Sequence, residues 1–574
     1  MTDGSTEGSS FWTRRGFLRT AAALSAVPAV SAPDPAAAAR ELPGFPADVA
    51  LYRTAYRNWT GEITAEGLWA CAPEGPQQVV AVVNWARREG WTVRARGSSH
   101  GWSPLTIAEG TRPGAPVLLV DTARHLTGLA LDGGSAVRAG TGVTMEALLT
   151  YLERHDLGLT AVPAVGDLTL GGALAVDGHG TAVPARGERR LPGHTYGSLS
   201  NLVLSLTAVV WDEASDAYVL RTFRRDEADC AALLTHRGRA LVTEVVLRVG
   251  ANTRLRCVSR VDIPAAELFA APGSGGRTFE SFLDASGRAE AIWFAFTEFP
   301  WLKVWSVSPD RPPASRRVTG PYNYPFSDSV PQPVADLVGR IVAAGAWSLA
   351  PVLGNLQYDV AALGLLTTLS GDIWGPSKNT LLYLRPTTLR VHANGYAVLT
   401  SRAQVQRVIS EFTAFYRERL AAYAARGRFP VNGSVEIRVT GLDDPADAGL
   451  AGAHAPLLSA VRPVEDRPEW DSAVWLDVLT LPGTPHAEAF LRELERFLLG
   501  SHDGRPGGGY ALARVEWSKG WAYTDTDAWR DEEVIGATVP ASFGEGVWGR
   551  AAGVLDRLDP HHVFSSELVR RMLG

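Results

Sequence analysis

The chain has 574 residues, 46% of them hydrophobic and 20% charged, with a formal net charge of −6. That length exceeds one hydrophobic core and predicts two large domains, and the composition is that of an ordinary globular protein. A negative balance with no long basic run excludes general attraction to nucleic acid or to an anionic membrane.

Residues 1–39 read as an export signal. Arg14-Arg15 precede an apolar stretch over 21–30 and a run of alanines at 36–39; a charged, an apolar and a small-residue zone in that order make a secretory signal. The arginine pair points to twin-arginine export, and so to a secreted or periplasmic protein. Proteins on this route fold and take up cofactors before crossing, so a bound cofactor is expected. No later apolar run reaches the roughly 20 residues of a membrane span, which predicts a soluble mature protein with no stable membrane insertion. Cys71, Cys230 and Cys257 are too few for a disulfide scaffold and suggest no metal site.

Helical spacing over 76–89 puts Val79, Val82, Val83 and Ala86 on one side. A strand over 92–96 then opens on Gly97-Ser98-Ser99-His100-Gly101-Trp102-Ser103-Pro104. Small residues let backbone N–H groups converge on an anion, which puts His100 beside the bound group; the bare spacing fits a simple hairpin turn equally well. Strands are expected over 117–121, 127–131 and 136–140, ending at Gly140-Thr141-Gly142, followed by an amphipathic helix over 144–155. Residues 162–181 are apolar yet crowded with glycine, as close packing on a flat ligand or of a helix on a sheet requires. Strands over 199–211 and 239–249 flank a helical stretch over 226–235.

Past Arg256 the texture changes to longer strands, over 289–298, 304–308, 380–385, 431–440 and 474–479. Helices over 334–347, 401–426 and 486–499 punctuate them, which predicts a sheet covered by helices and a domain boundary near 250. The last segment, 547–573, is helical and then apolar and is expected to return to the first domain. The chain has no G-x-G-x-x-G between strand and helix, no G-x-x-x-x-G-K-[ST] and no H-E-x-x-H, so neither a Rossmann site, a phosphate loop nor a zinc helix is indicated. His561-His562 lacks a partnered carboxylate spacing, so no metal is expected.

In order and spacing, Arg96-Gly97-Ser98-Ser99-His100-Gly101, Gly140-Thr141-Gly142, Gly171-Gly172 and His179-Gly180 resemble the FAD-binding domain of the vanillyl-alcohol oxidase (PCMH-type) flavoproteins over residues 60–250. Further strings are similar to the covalent-flavin, type II cholesterol oxidases: His100-Gly101-Trp102-Ser103-Pro104, Asp177-Gly178-His179-Gly180-Thr181-Ala182-Val183-Pro184, Trp301-Leu302-Lys303-Val304-Trp305, Arg385-Pro386-Thr387-Thr388-Leu389-Arg390 and Glu516-Trp517-Ser518-Lys519-Gly520-Trp521. The resemblance implies an α+β protein in four parts. After the signal come a PCMH-type FAD-binding domain of two α+β subdomains (40–250), a substrate domain with a large, mainly antiparallel sheet covered by helices (251–540), and a segment returning to the FAD domain (541–574).

It further implies FAD bonded covalently to His100 and held by Arg96, Gly97, Ser98, Ser99, Gly101, Ser103, Gly166, Asp167, Thr169, Gly172, His179, Gly180 and Val242, with His179 near the pyrophosphate. Glu436 and Arg438, two apart on an expected strand, point to one side and suit either a pocket or a surface ion pair; the resemblance puts them at the catalytic end of the substrate cavity. Glu298 stands among aromatic residues, where burial raises a carboxyl pKa, and the resemblance makes it an active-site base that also moves the sterol double bond. Asp477 faces either the cavity or solvent, and Lys519 is either a flavin-side cation or a snorkelling surface residue. The implied reaction oxidises a sterol 3β-hydroxyl with O2 as acceptor, with 5-ene to 4-ene isomerisation and transient membrane contact to extract the sterol. The alternatives are an oxidase of a sugar, alditol or lactone, a dehydrogenase with another acceptor, and a non-catalytic flavin- or lipid-binding protein.

Overall fold

The computed structural model describes residues 42–324, 332–386, 388–501 and 509–573; the expected export signal lies outside them. In the first domain, β1 (Ala50–Arg57), β2 (Thr64–Ala72), β3 (Thr92–Arg96) and β4 (Val117–Asp121) form a sheet ordered β1-β2-β4-β3, parallel at β2/β4 and β4/β3. Parallel neighbours need a crossover. The helix Pro76–Glu89 supplies it, starting on proline, burying the expected valines with Trp85, and closing at Gly90 with φ 70°.

A second, antiparallel sheet joins β5 (Leu129–Leu131), β6 (Ala136–Gly140), β8 (Val203–Asp212), β9 (Ala217–Arg224) and β10 (Leu241–Arg248) in the order β5-β6-β10-β8-β9. Short β7 (Leu157–Gly158) pairs instead with β11 (Gly250–Ala251). The helical stretch expected over 226–235 is a single turn, Cys230–Leu233.

Among the described residues, the second domain is built on nine strands: β12 (Arg254–Arg260), β13 (Arg288–Phe294), β14 (Trp301–Val307), β15 (Arg316–Arg317), β16 (Asp372–Pro376), β17 (His392–Thr400), β18 (Ser434–Gly441), β19 (Ser472–Thr480) and β20 (Ala511–Val515). Their order is β15-β16-β12-β14-β13-β18-β19-β17-β20, antiparallel except at β15/β16. The strand expected over 380–385 is absent; a helical turn, Ser377–Leu381, leads into that stretch. Helices Val405–Ala424 and Ala487–Ser501 cover one face, packing Phe412, Tyr416 and Phe490 into the core that holds Ile437 and Leu476. Residues of opposite parity, among them Lys303, Glu290 and Arg438, point from the other face toward the first domain.

The end of the chain crosses back. Between helices Glu545–Leu558 and Glu567–Leu573, the N–H of Val93 on β3 donates to the Val563 carbonyl at 2.7 Å. The buried Asp559 carboxylate bonds Arg239 and the Tyr218 hydroxyl, both of the first domain, and accepts the N–H groups of Val563 and Phe564 at 2.9 and 3.0 Å.

Candidate active site

A cavity of about 400 Å³ lies between the domains. One wall is the loop after β3, which turns at Ser99 with φ 57°. The Trp102 indole donates to the Val391 carbonyl and the Ser103 hydroxyl to that of Trp517, each at 2.7 Å, so the loop is tied to the second domain. His100 stacks on Trp59 with ring centroids 4.4 Å apart, and its Nε2 lies 2.8 Å from Asp167 Oδ2. Gly97 packs so tightly on the Thr169 side chain that no other residue fits there.

Of the expected cofactor residues, Arg96, Gly97, Ser98, Ser99, His100, Gly101, Ser103, Thr169, Gly172, His179, Gly180 and Val242 line the cavity. Two are corrected. Asp167 stands behind His100, and Gly166 packs on Glu146 and Leu382, its carbonyl accepting the Glu146 N–H at 2.8 Å. Arg96 reaches the cavity but its guanidinium is held by Asp121, at 3.2 Å, and by Thr54. His179 reaches the cavity beside the second domain, stacked on Trp475 at 3.5 Å and 4.0 Å from Glu516. Burial pushes it down to about 3, so it is neutral.

The opposite wall is a row of buried charges set by strand register. Glu290 on β13 faces Lys303 across β14 and Arg438 across β18; Glu436 faces Asp477 across β19. Arg438 Nε bonds Glu290 at 2.7 Å, Nη1 bonds Asp477 at 2.8 Å, and Nη2 bonds Glu436. The Tyr383 hydroxyl donates to Glu290 at 2.6 Å. Lys303, fully buried, stands 3.8 Å from Glu290 and 2.8 Å above the Tyr383 ring. Lys519 lies 3.4 Å from Asp477 and 4.3 Å over Trp102, which makes it a cavity cation and not a surface one. Asp477 points into this cluster and away from solvent.

Burial alone would lift the Glu290 carboxyl, but Arg438, then Lys303 and the Tyr383 hydrogen bond outweigh it and hold the group below its ordinary range. Burial and the neighbouring Asp477 push Glu516 well above its ordinary value, so it carries a proton. Burial also raises the Glu436 carboxyl, against the opposing pull of Arg438. Glu290 is therefore an ionised carboxylate on a cavity wall, a proton acceptor in waiting.

Glu298 is not. It is exposed, off the cavity, in the turn after β13, because the strand stops at Phe294 and Phe296 takes φ 64°. The residues missed from sequence are Glu290, Lys303, Tyr383 and Glu516. The signal available for Lys303 was its place between Trp301 and Trp305, a cation on an aromatic strand face.

The residues present fit FAD. All three guanidinium nitrogens of buried, cavity-lining Arg237 lack a hydrogen-bond partner, as does Asp167 Oδ1 beside His100. Tight glycines at 97, 171 and 180 open the same wall.

The family model for the cholesterol oxidase substrate-binding domain matches residues 254–574, and that for an FAD-binding domain matches 69–213. Among solved structures, a solvent-stable cholesterol oxidase superposes with TM-score 0.90 at 53% identity, over 93% of this chain and 99% of its own. The cholesterol oxidase of Brevibacterium sterolicum does so with TM-score 0.90 at 46% identity and the same coverage. A xylooligosaccharide oxidase from Myceliophthora thermophila C1 shares the fold alone, at 12% identity and TM-score 0.53. No curated protein sequence matches. A substrate-domain match across more than half the chain, together with such close identity over nearly all of it, makes this protein a member of the FAD-dependent cholesterol oxidase family.

Proposed function

We propose that the protein oxidises the 3β-hydroxyl of a sterol. The observation that carries this reading is the ionised Glu290 at the polar end of a cavity whose other lining includes Trp305, Leu381, Leu384, Leu389, Val391 and Leu479. An apolar lining with a few placed polar groups suits a steroid and not a polyol. Glu290 takes the hydroxyl proton, and Arg438 fixes its orientation while opposing the charge that develops on the alkoxide oxygen. FAD, which His100, Arg237 and the glycine-rich wall would hold, would supply the two-electron acceptor chemistry of the oxidation, with O2 as the final acceptor. Glu436 and Asp477 hold the other sides of the Arg438 guanidinium.

His100 is the residue we propose as the covalent anchor. Asp167 takes Nε2, which leaves Nδ1 for the bond. Flavin that washes off acid-precipitated protein would remove this link. We place isomerisation on Glu290, which carries a proton from sterol carbon 4 to carbon 6 with no net change in atoms. Export by the twin-arginine route is a further proposal, resting on Arg14-Arg15; R14K/R15K should leave the protein in the cytoplasm.

Peroxide production with cholesterol, xylitol and a sugar lactone tests the substrate. Cholesterol is expected to be turned over; peroxide from the polyol alone would sink the sterol reading.

A further inference from the structure

We infer that Arg390 and Trp59 form a clamp across the join between the domains, and that this clamp positions His100 for its bond to the flavin. This rests on the covalent link to His100 proposed above. Such a bond needs the imidazole held in one plane, and a single hydrogen bond fixes one ring atom while leaving the ring to turn about it. Asp167 Oδ2 fixes Nε2 at 2.8 Å. The plane is set by buried Trp59, whose indole stacks on the imidazole with centroids 4.4 Å apart and 23° between the rings.

Trp59 is in turn held from both domains. Its own turn is built within the first: Gly61 takes φ 81°, and Asn58 Oδ1 accepts the N–H groups of Gly61 and Ile63 at 2.9 and 3.1 Å. The Asn58 amide also donates to the Trp102 carbonyl at 3.0 Å, which ties the turn to the loop carrying His100. The second domain supplies the remaining hold. Arg390 donates to the Trp59 carbonyl at 3.1 Å and sets its guanidinium 4.9 Å from the indole centroid, where a cation is drawn to the ring. The two residues that follow continue the grip: the Val391 carbonyl takes the Trp102 indole at 2.7 Å, and His392 Nδ1 lies 3.2 Å from Glu62 Oε2.

Burial and then Arg57 draw the Arg390 guanidinium below its ordinary range, and Asp167 opposes them. The cation therefore bears on both neighbours of His100, the indole and the carboxylate. Facing that carboxylate, Nε2 carries the ring proton, and Nδ1 keeps the lone pair that forms the bond. One hydrogen of the flavin 8α-methyl is displaced as a proton, the Nε2 proton follows, and the two electrons of the broken C–H bond pass to O2, giving H2O2. An imidazole free to turn presents its lone pair less often, so loosening the clamp slows this step and leaves the cofactor's other contacts in place.

The test follows holoenzyme harvested early and left standing in air, comparing flavin retained by acid-precipitated protein with total flavin in the native protein. Arg390→Met and Trp59→Leu are expected to slow the rise of the retained fraction by about tenfold or more, with total flavin within about twofold of the parent. Trp59→Phe keeps a flat face for the imidazole and should stay within about threefold of the parental rate. A parental rate in Arg390→Met overturns the inference. So does a loss of total flavin in step with the retained fraction, which would make the pair merely structural. In a crystal structure of Arg390→Met the indole is expected to leave the imidazole; an intact stack overturns the inference. A parent that releases all its flavin in acid defeats the covalent reading alone, while the crystal structure of the variant still reports the clamp.

Discussion

Glu290 keeps its charge in a buried position because Arg438 and Lys303 oppose the effect of burial. Glu290→Gln preserves shape and removes the base, so flavin reduction by cholesterol in stopped flow is expected to slow by about 10²–10⁴-fold, with flavin content unchanged. A slowing below about tenfold would move the base elsewhere. Lys303 acts through Glu290 and is a positioning residue. Lys303→Met deletes a cation that favours the carboxylate, so the acid limb of kcat/KM should move to higher pH; an unmoved limb would show that Lys303 only fills space. Sequence neighbourhood misleads at this scale. Glu290 and Glu298 have the same parity, and a continuous strand would have put both on one face. The positive φ of Phe296 separates them, turning Glu298 out to solvent.

At the scale of elements, the charge row exists because β14, β13, β18 and β19 are neighbours in the sheet although they are scattered along the chain. Gly395 on β17 completes it: a Cβ there would stand 2.6 Å from Glu516 Oε2 and 2.7 Å from Asp477 Oδ1. Gly395→Ala is therefore expected to cost about 1–3 kcal/mol by overpacking, read by urea unfolding, and to lower turnover as Asp477 shifts against Arg438. Asp559 belongs to the same scale, since it fastens the C-terminal segment to the first domain. Asp559→Ala leaves Arg239 buried without its main partner and should cost about 3–5 kcal/mol, with early proteolysis between the last two helices. The helix over 76–89 and strands β3, β4 and β6 were legible because their apolar periodicity is local. The helix Ala350–Thr367 was not, because it is apolar nearly all round and shows no stripe to read.

Across the whole molecule, acid should loosen the join between the domains. His179 and His236 both line the cavity and burial pushes each down to about 3. The Gly238 N–H donates to His236 Nδ1 at 3.1 Å, which also requires a neutral ring. An unfolded histidine takes a proton near 6.5. Below that value the unfolded chain binds protons the folded one refuses, so stability declines as pH falls from about 6.5 toward 3, by up to about 1.4 kcal/mol per unit for each ring. The melting temperature should drop between pH 7 and pH 5, and His236→Gln should flatten that slope; an unchanged slope would assign the acid sensitivity to other groups.

The sequence by itself determined what depends on near neighbours: the glycine-rich loop that presents His100, the helices and strands of the first domain, and the shared side of Glu436 and Arg438. These follow from backbone freedom and from periods of two and 3.6 residues, which any stretch of chain carries within itself. Only the tertiary structure decided which carboxylate meets Arg438, that Asp477 and Lys519 face inward, and that Glu516 holds a proton while Glu290 does not. Charge state in a buried site is set by groups that register and domain packing bring within a few ångströms, and those groups lie far apart along the chain.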